Sequence, residues 1–486
     1  MPWNESYWLV RFMFQRALAF VYLVAFLVAA NQYRALLGED GLLPLSDYVD
    51  NANFAERPSL FYRFDSDRAI QLTAWTGVGL SIVALTGVSE QFGTAVSVAV
   101  WLLLYLLYLS FVNAGQLFYG YGWESMLLET GFVAIFLGAS STAAPFLVIL
   151  LLRWILFRNM VGAGLIKLRG DQCWRDLTCM DYHYETQPMP NPLTWFFHHF
   201  PQRFHKFEVG VNHVMELFVP FLYFAPQPFA AVAGVATILF QGWLMLSGNF
   251  AFLNLLTIVL AVATFSDGML QALPLEVVAA APVPPLHQAA VILLTGITAA
   301  LSVGPVRNML SSRQRMNWSF NPLHIVNTYG AFGSITRERY QLVIEGTDEE
   351  HPSEEDWEEY TFKGQPVALD ERPPQWAPYH LRLDWQLWFA AMQPRPTPRQ
   401  RWLFALLHQL LQDDEDALSL VDHNPFPGEP PDQVRVRRYR YTFTEPEERR
   451  ETGDWWNREL ENEYLRPVSL DDPQFRRVLR RYGYLD

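Results

Sequence analysis

The chain has 486 residues, of which 51 % are hydrophobic and 15 % aromatic, ample material for more than one domain. Its formal net charge is −14, and 31 acidic against 22 basic residues follow Ser311, a balance that argues against a nucleic-acid partner. Apolar runs fill the sequence from Tyr7 to Val303, whereas the remainder is polar and acidic, as suits a solvated domain beside a membrane.

Taken in order, the first apolar run spans about Tyr7 to Ala30, with Arg11 and Arg16 placed to snorkel from a helix end. It lacks a basic leader and a small-residue cleavage site, so it reads as a retained helix. Further runs lie near Ala69–Val88, Gly93–Val112, Met126–Ala139, Pro145–Gly164, Val209–Ala225, Phe229–Ser247, Phe250–Phe265 and Leu286–Val303. Together they give an α-helical polytopic membrane bundle of about nine spans. The Met126–Ala139 run is short and carries Glu129, which fits a re-entrant or fully buried segment. Residues 1–310 form this bundle, interrupted by a large polar loop at 167–208. Residues 311–486 read as a compact α+β domain. Strands are expected at Tyr340–Glu345, Tyr360–Lys363 and Arg435–Thr444, the last half-exposed, and helices at His380–Met392 and Arg399–Gln412. No internal repeat points to a transporter.

The polar loop concentrates chemistry. Lys167 ends an apolar helix behind the small residues Gly162, Ala163 and Gly164, which admit a close neighbour. A lysine there is either a desolvated base or a cation paired with Asp171 or Glu208. Cys173 and Cys179 are the only cysteines, and disulfide, free thiols and metal ligation all stay open, although no second pair completes a zinc site. Glu124, Glu129 and Glu216 are the carboxylates of apolar segments. His213 and Glu216 share one helical face at i and i+3, as a proton-handling pair, a metal half-site or a lock between helices. With Asp171 and His183 they make a candidate polar cluster. His183, His198, His199 and His205 have no metal-binding spacing and read as packing and capping groups. Phosphate-loop, dinucleotide and serine-hydrolase motifs are absent, and no metal or cofactor is expected.

Several long motifs resemble the lipase maturation factor family. They are Y-G-W-E-S-M-L-L-E-T-G-F from Tyr121, the block from Gly162 to Leu193, F-H-K-F-E, and S-G-N-F-A-F-L-N-L-L-T. In the C-terminal region they are N-T-Y-G-A-F-G-S-I-T-R-E-R-Y, W-A-P-Y-H-L-R-L-D-W-Q-L-W-F-A-A and N-P-F-P. The resemblance implies an integral membrane factor that assists folding and assembly of secreted dimeric lipases, in animals within the endoplasmic reticulum. It implies the lipid bilayer and an exported lipase or other client as partners, and a luminal loop and C-terminal domain. Counting juxtamembrane arginines puts the same loop on the cytoplasmic side, and the arginine-rich, lysine-poor composition points to a bacterial source and its cytoplasmic membrane. The aromatics Trp376, Tyr379, Trp385 and Trp388 are either a client-binding surface or the domain core. A second, local resemblance links A-G-L-I-K-L to the membrane bundle of vitamin-K-dependent γ-glutamyl carboxylase, whose lysine is the catalytic base. That resemblance makes a membrane-embedded enzyme using Lys167 the alternative function.

Overall fold

The computed structural model describes residues 5–271, 274 and 280–485. Among the described residues, six helices are long and apolar enough to cross a bilayer: Trp8–Leu37, Asp67–Leu85, Thr94–Ala114, Phe146–Arg169, Phe229–Ser247 and the consecutive pair Pro285–Leu310. The other three apolar runs are shorter or broken. Gly122–Ala134 has 13 helical residues. The Val209–Ala225 run is the C-terminal half of a helix, Gln202–Leu217, continued by a 3-10 turn over Val219–Phe224, with Pro220 at the turn's start. Leu253–Thr264 is a short apolar helix.

The Trp8–Leu37 helix runs through the middle of the bundle and buries most of its length. It packs closely on Asp67–Leu85, where Gly77 lies against the Phe26 ring with no room for a Cβ. Arg11 does not snorkel. It is 1 % exposed, and its guanidinium donates to the carbonyls of Thr142 (2.7 Å) and Ser140 (3.3 Å), while Arg16 pairs with buried Glu90. Both arginines thereby satisfy a helix end and a turn that water does not reach. Arg153 does the same for the carbonyls of Tyr223, Ala263 and Thr264.

Beyond the bundle lies an antiparallel sheet of β1 (Arg339–Thr347), β2 (Glu358–Phe362), β3 (Val421–His423), β4 (Gln433–Phe443) and β5 (Trp456–Val468), ordered β3-β2-β1-β4-β5. In the central pair Ile344 faces Val436 and Leu342 faces Arg438. Helices Arg382–Ala391 and Arg401–Leu410 supply Trp385, Leu387, Trp402 and Leu406 to the core that also holds Leu342, Ile344, Val434 and Val436.

β4 was expected to be half-exposed, yet most of it is buried, with Thr442 exposed and Gln433, Arg437 and Arg440 half-buried. Its second face is covered by a separate aromatic cluster in which Trp195, from the membrane-side loop, joins Val343, Tyr441, Phe443 and Trp456. Two of its arginines are buried because they have partners: Arg435 meets Glu345 and Glu354, and Arg438 donates to the carbonyl of Ala391 (2.8 Å).

Candidate functional site: buried polar joints of the bundle

The expected polar cluster resolves into three separate buried sites. Each ties an element of the bundle to another part of the chain.

The first centres on Glu124, which is fully buried at the start of Gly122–Ala134. Its carboxylate accepts from the Tyr108 hydroxyl and pairs with Arg382 Nη2 at 3.0 Å, with His380 Nδ1 at 3.6 Å. Arg382 also donates to the carbonyl of Phe118 (2.6 Å), and its guanidinium lies 3.3 Å from the centre of the Tyr119 ring. Gln32 clamps the same turn from the first helix: its amide nitrogen donates to the His380 carbonyl (2.8 Å), and its oxygen accepts from Arg382 N–H (3.0 Å). Burial, with Arg382 beside it, pushes His380 down to about 4, so the ring is neutral near pH 7.

Two residues on, Asp384 is buried in the same helix and accepts from Gly364 N–H at 2.6 Å. Burial pushes its carboxyl up to about 7. The folded state therefore holds this proton more tightly than the unfolded chain, whose aspartate titrates near 3.8. The contribution of Asp384 to stability is intact below about pH 4, falls as the pH rises towards about 7, and is flat above. Asp384→Asn keeps the acceptor oxygen and removes the proton. Melting midpoints of the full chain in detergent are expected to show the variant above the parent at pH 7.5 and level with it near pH 4.

The second site centres on Glu129, which is 1 % exposed. Both of its oxygens face Arg158, with Nη1 at 3.2 Å from Oε2. It also accepts from Asn327 N–H and Nδ2 (3.0 Å each) and from the Tyr329 hydroxyl (2.6 Å). Arg158 closes the ring by donating to the Asn327 carbonyl at 2.7 Å. The N-T-Y motif is thus a strap drawn back into the bundle. Gly162 makes room for it: a Cβ there would lie 2.4 Å from the Tyr329 carbonyl oxygen.

The third site holds Lys167. Its Nζ donates to Glu216 at 2.6 Å and Asn212 at 2.9 Å and lies 4.8 Å from the centre of the Trp174 ring. Asn212 and Glu216 sit one turn apart on Gln202–Leu217, and this helix comes close because Gly164 faces Leu217 and Glu216. The expected partners of Lys167 are engaged elsewhere. Asp171 caps the next short helix and pairs with Arg337 (2.7 Å), and Glu208 accepts from Tyr184 and Trp243. His213 leaves the Glu216 face altogether and bonds the Trp174 carbonyl at 2.9 Å. A cavity of about 80 Å³ adjoins the site, lined by Asn159, His183, Gln241 and Asn254 among others. Burial pushes His183 down to about 4, and its ring stacks on Phe250. No group of three metal-ligating side chains occurs among the described residues.

The loop itself is more regular than its sequence reads. It contains short helices at Gln172–Arg175, Met180–Thr186 and Thr194–His198. Cys173 and Cys179 are joined as a disulfide with a Cα separation of 4.8 Å, inside the usual range. The ring they close spans only six positions. Replacing both by serine is therefore expected to lower stability by less than about 3 kcal/mol, read as a small fall in melting midpoint. The loop rests on the C-terminal domain. Arg339 donates to the Gln187 carbonyl (2.6 Å), Trp195 Nε1 to that of Thr444 (3.0 Å), and Phe443 N–H to Glu185 (2.8 Å).

The four aromatics weighed as a client surface do not share one exposed face. Trp385 is 4 % exposed, Trp388 Nε1 donates to the Thr186 carbonyl, Trp376 Nε1 donates to that of Lys363, and the Tyr379 hydroxyl accepts from Asn31. Trp376, Tyr379 and Trp388 are half-buried, and the polar tips of these three have partners within the chain. Sequence reasoning missed Arg158, Asn327, His380 and Arg382 as partners of the membrane carboxylates. The available signal was charge balance: each buried glutamate needs a cation, and these arginines lie in otherwise apolar or aromatic motifs.

A family model described as the lipase maturation factor transmembrane domain matches residues 9–272, and one described as the lipase maturation factor C-terminal domain matches residues 325–466. The chain is 43 % identical over 519 residues to lipase maturation factor 1 of Homo sapiens, covering 97 % of this chain and 90 % of that one. Against the Bos taurus protein of the same name the identity is 43 %, over 99 % and 92 % of the two chains. Lipase maturation factor 2 of Homo sapiens is 28 % identical over 98 % and 85 %. No solved structure matches.

Proposed function

The chain belongs to the lipase maturation factor family, and on that premise we propose that it is an integral membrane factor that brings lipases to their active form. The observation that carries this reading is the match of both family domains, in order, along nearly the whole chain. The alternative of an enzyme with Lys167 as base finds no support, since the amine is held between Glu216 and Asn212. The test is complementation. In cells lacking their own lipase maturation factors, expression of this chain is expected to restore the activity per unit mass of a secreted dimeric lipase. Unchanged specific activity, with the chain present in the membrane, would refute the reading.

The client class is a secreted lipase, and the compartment is the endoplasmic reticulum membrane; the bacterial option has no support among these relatives. The bundle occupies 1–310 and the C-terminal domain 311–486. We further read nine crossings, counting the three short segments. In support, Ser6 and Trp8 bond Asp267, which follows the Leu253–Thr264 helix, and His287 bonds the Phe136 carbonyl, grouping those ends together. At the other end Arg169 donates to the Met309 carbonyl (2.7 Å). An odd count places the N-terminus opposite the C-terminal domain. Reporters after Arg175 and at the C-terminus are expected to read luminal, and one at the N-terminus cytoplasmic. Agreement of all three would remove the odd count, and cytoplasmic signals at the first two would reverse the sidedness.

A further inference from the structure

We propose that the cleft between the bundle and the C-terminal domain holds an anionic phospholipid drawn from the bilayer, with its acyl chains among aromatic and methionine side chains and its headgroup at Arg399 and Arg401. The cleft has a volume of about 1410 Å³. That exceeds the ~300–1,000 Å³ usual for sites that take small cofactors. Its wall includes Trp123, Met126, Phe332, Trp388, Phe389 and Met392, so the greater part of its surface is apolar.

Charge decides the polar end. The chain carries a formal −14, yet among the described residues no carboxylate lines this cleft, and Arg399 and Arg401 are the charged residues on its wall. Neither arginine has an ion-pair partner among the described residues, whereas the cations of the three joints and the arginines of β4 all lie against carboxylates. Two guanidiniums without an ion-pair partner on the wall of an apolar cleft favour a phosphate oxyanion attached to a hydrocarbon body.

Position decides the source. The wall includes Gln116–Leu117 and Gly120–Tyr121, which connect two bundle helices, Gly122–Trp123, which begin the second of them, and Met316–Asn317, which follow the last span. Met316, Trp318 and Phe320 beside it are 47 %, 49 % and 48 % exposed, as interfacial side chains are. A lipid can therefore enter sideways from the luminal membrane surface, its phosphate meeting the two guanidiniums.

The experiment is native mass spectrometry of the full chain in detergent, titrated with phosphatidylserine, phosphatidylcholine or oleate. One retained phosphatidylserine per chain is expected, with a roughly thirtyfold preference over phosphatidylcholine, the value that two surface cations confer. Arg399→Gln with Arg401→Gln should bring phosphatidylserine down to the phosphatidylcholine level, and Arg399→Lys with Arg401→Lys should restore most of the preference. An unchanged melting midpoint verifies that the variants fold. Equal retention of the two phospholipids, a preference that survives the glutamine pair, selective retention of oleate, or a copurifying polypeptide that blocks the lipid would each overturn the proposal.

Discussion

Arg382→Met is expected to destabilise the folded chain by about 3–5 kcal/mol, enough to deplete it from the membrane. The substitution removes the cation from Glu124, which has no exposed surface and whose remaining partners are the Tyr108 hydroxyl and His380. It also strands the Phe118 carbonyl that Arg382 satisfies. The pair separates charge loss from packing loss. Glu124→Gln combined with Arg382→Met leaves no buried ion and should recover a large part of the deficit, because two compatible neutral groups cost less than one isolated charge. Thermal unfolding in detergent, followed by the loss of the monodisperse peak, measures both variants. Equal melting of Arg382→Met and the parent would mean that the joint contributes nothing to docking of the C-terminal domain.

Lys167→Met should give a loss of similar size for the same reason, with Glu216 left facing only Asn212 in a site 5 % open at the lysine. Lys167→Arg is expected to keep most of the abundance and most of the lipase-maturing activity. A guanidinium restores the charge opposite Glu216 and stacks on Trp174, whose ring already receives the ammonium. An arginine cannot serve as a neutral amine base. Full abundance of Lys167→Arg together with complete loss of lipase maturation would contradict the structural role assigned to this residue.

The sequence exposed the long spans well, because runs such as Phe146–Arg169 declare themselves by composition alone. It also located β1, β4 and the helix at Arg382–Ala391 to within a few residues. What it concealed is tertiary. β5 reads as a charged stretch, N-R-E-L-E-N-E, because an edge strand keeps its outer side chains in water, and the register breaks against β4 blur its alternation. β4 looked half-exposed, since nothing local reveals that Trp195, 249 residues before Thr444, packs on Tyr441 and Phe443, or that Arg438 is covered by the helix that ends at Ala391. The carboxylates were recognised as special from their apolar settings. Their partners were not, because Glu124 and Arg382 are joined only by the docking of two domains. Lys167 was recognised for the same reason, yet its true partner lies on a helix that sequence periodicity started seven residues late.

The strap that completes Glu129 has a consequence for how the protein is made. Glu129 and Tyr329 are 200 residues apart. At ~5–20 residues per second a ribosome needs roughly 10–40 s to travel that distance. During that interval the inserted helices hold a carboxylate whose only ready partner is Arg158, and the backbone of Asn327 that ties off both groups does not yet exist. Membrane insertion and maturation are therefore separate events in time. A nascent chain interrupted before Asn327 has its hydrocarbon-spanning part in place and its interior unfinished, however well its helices have entered the lipid.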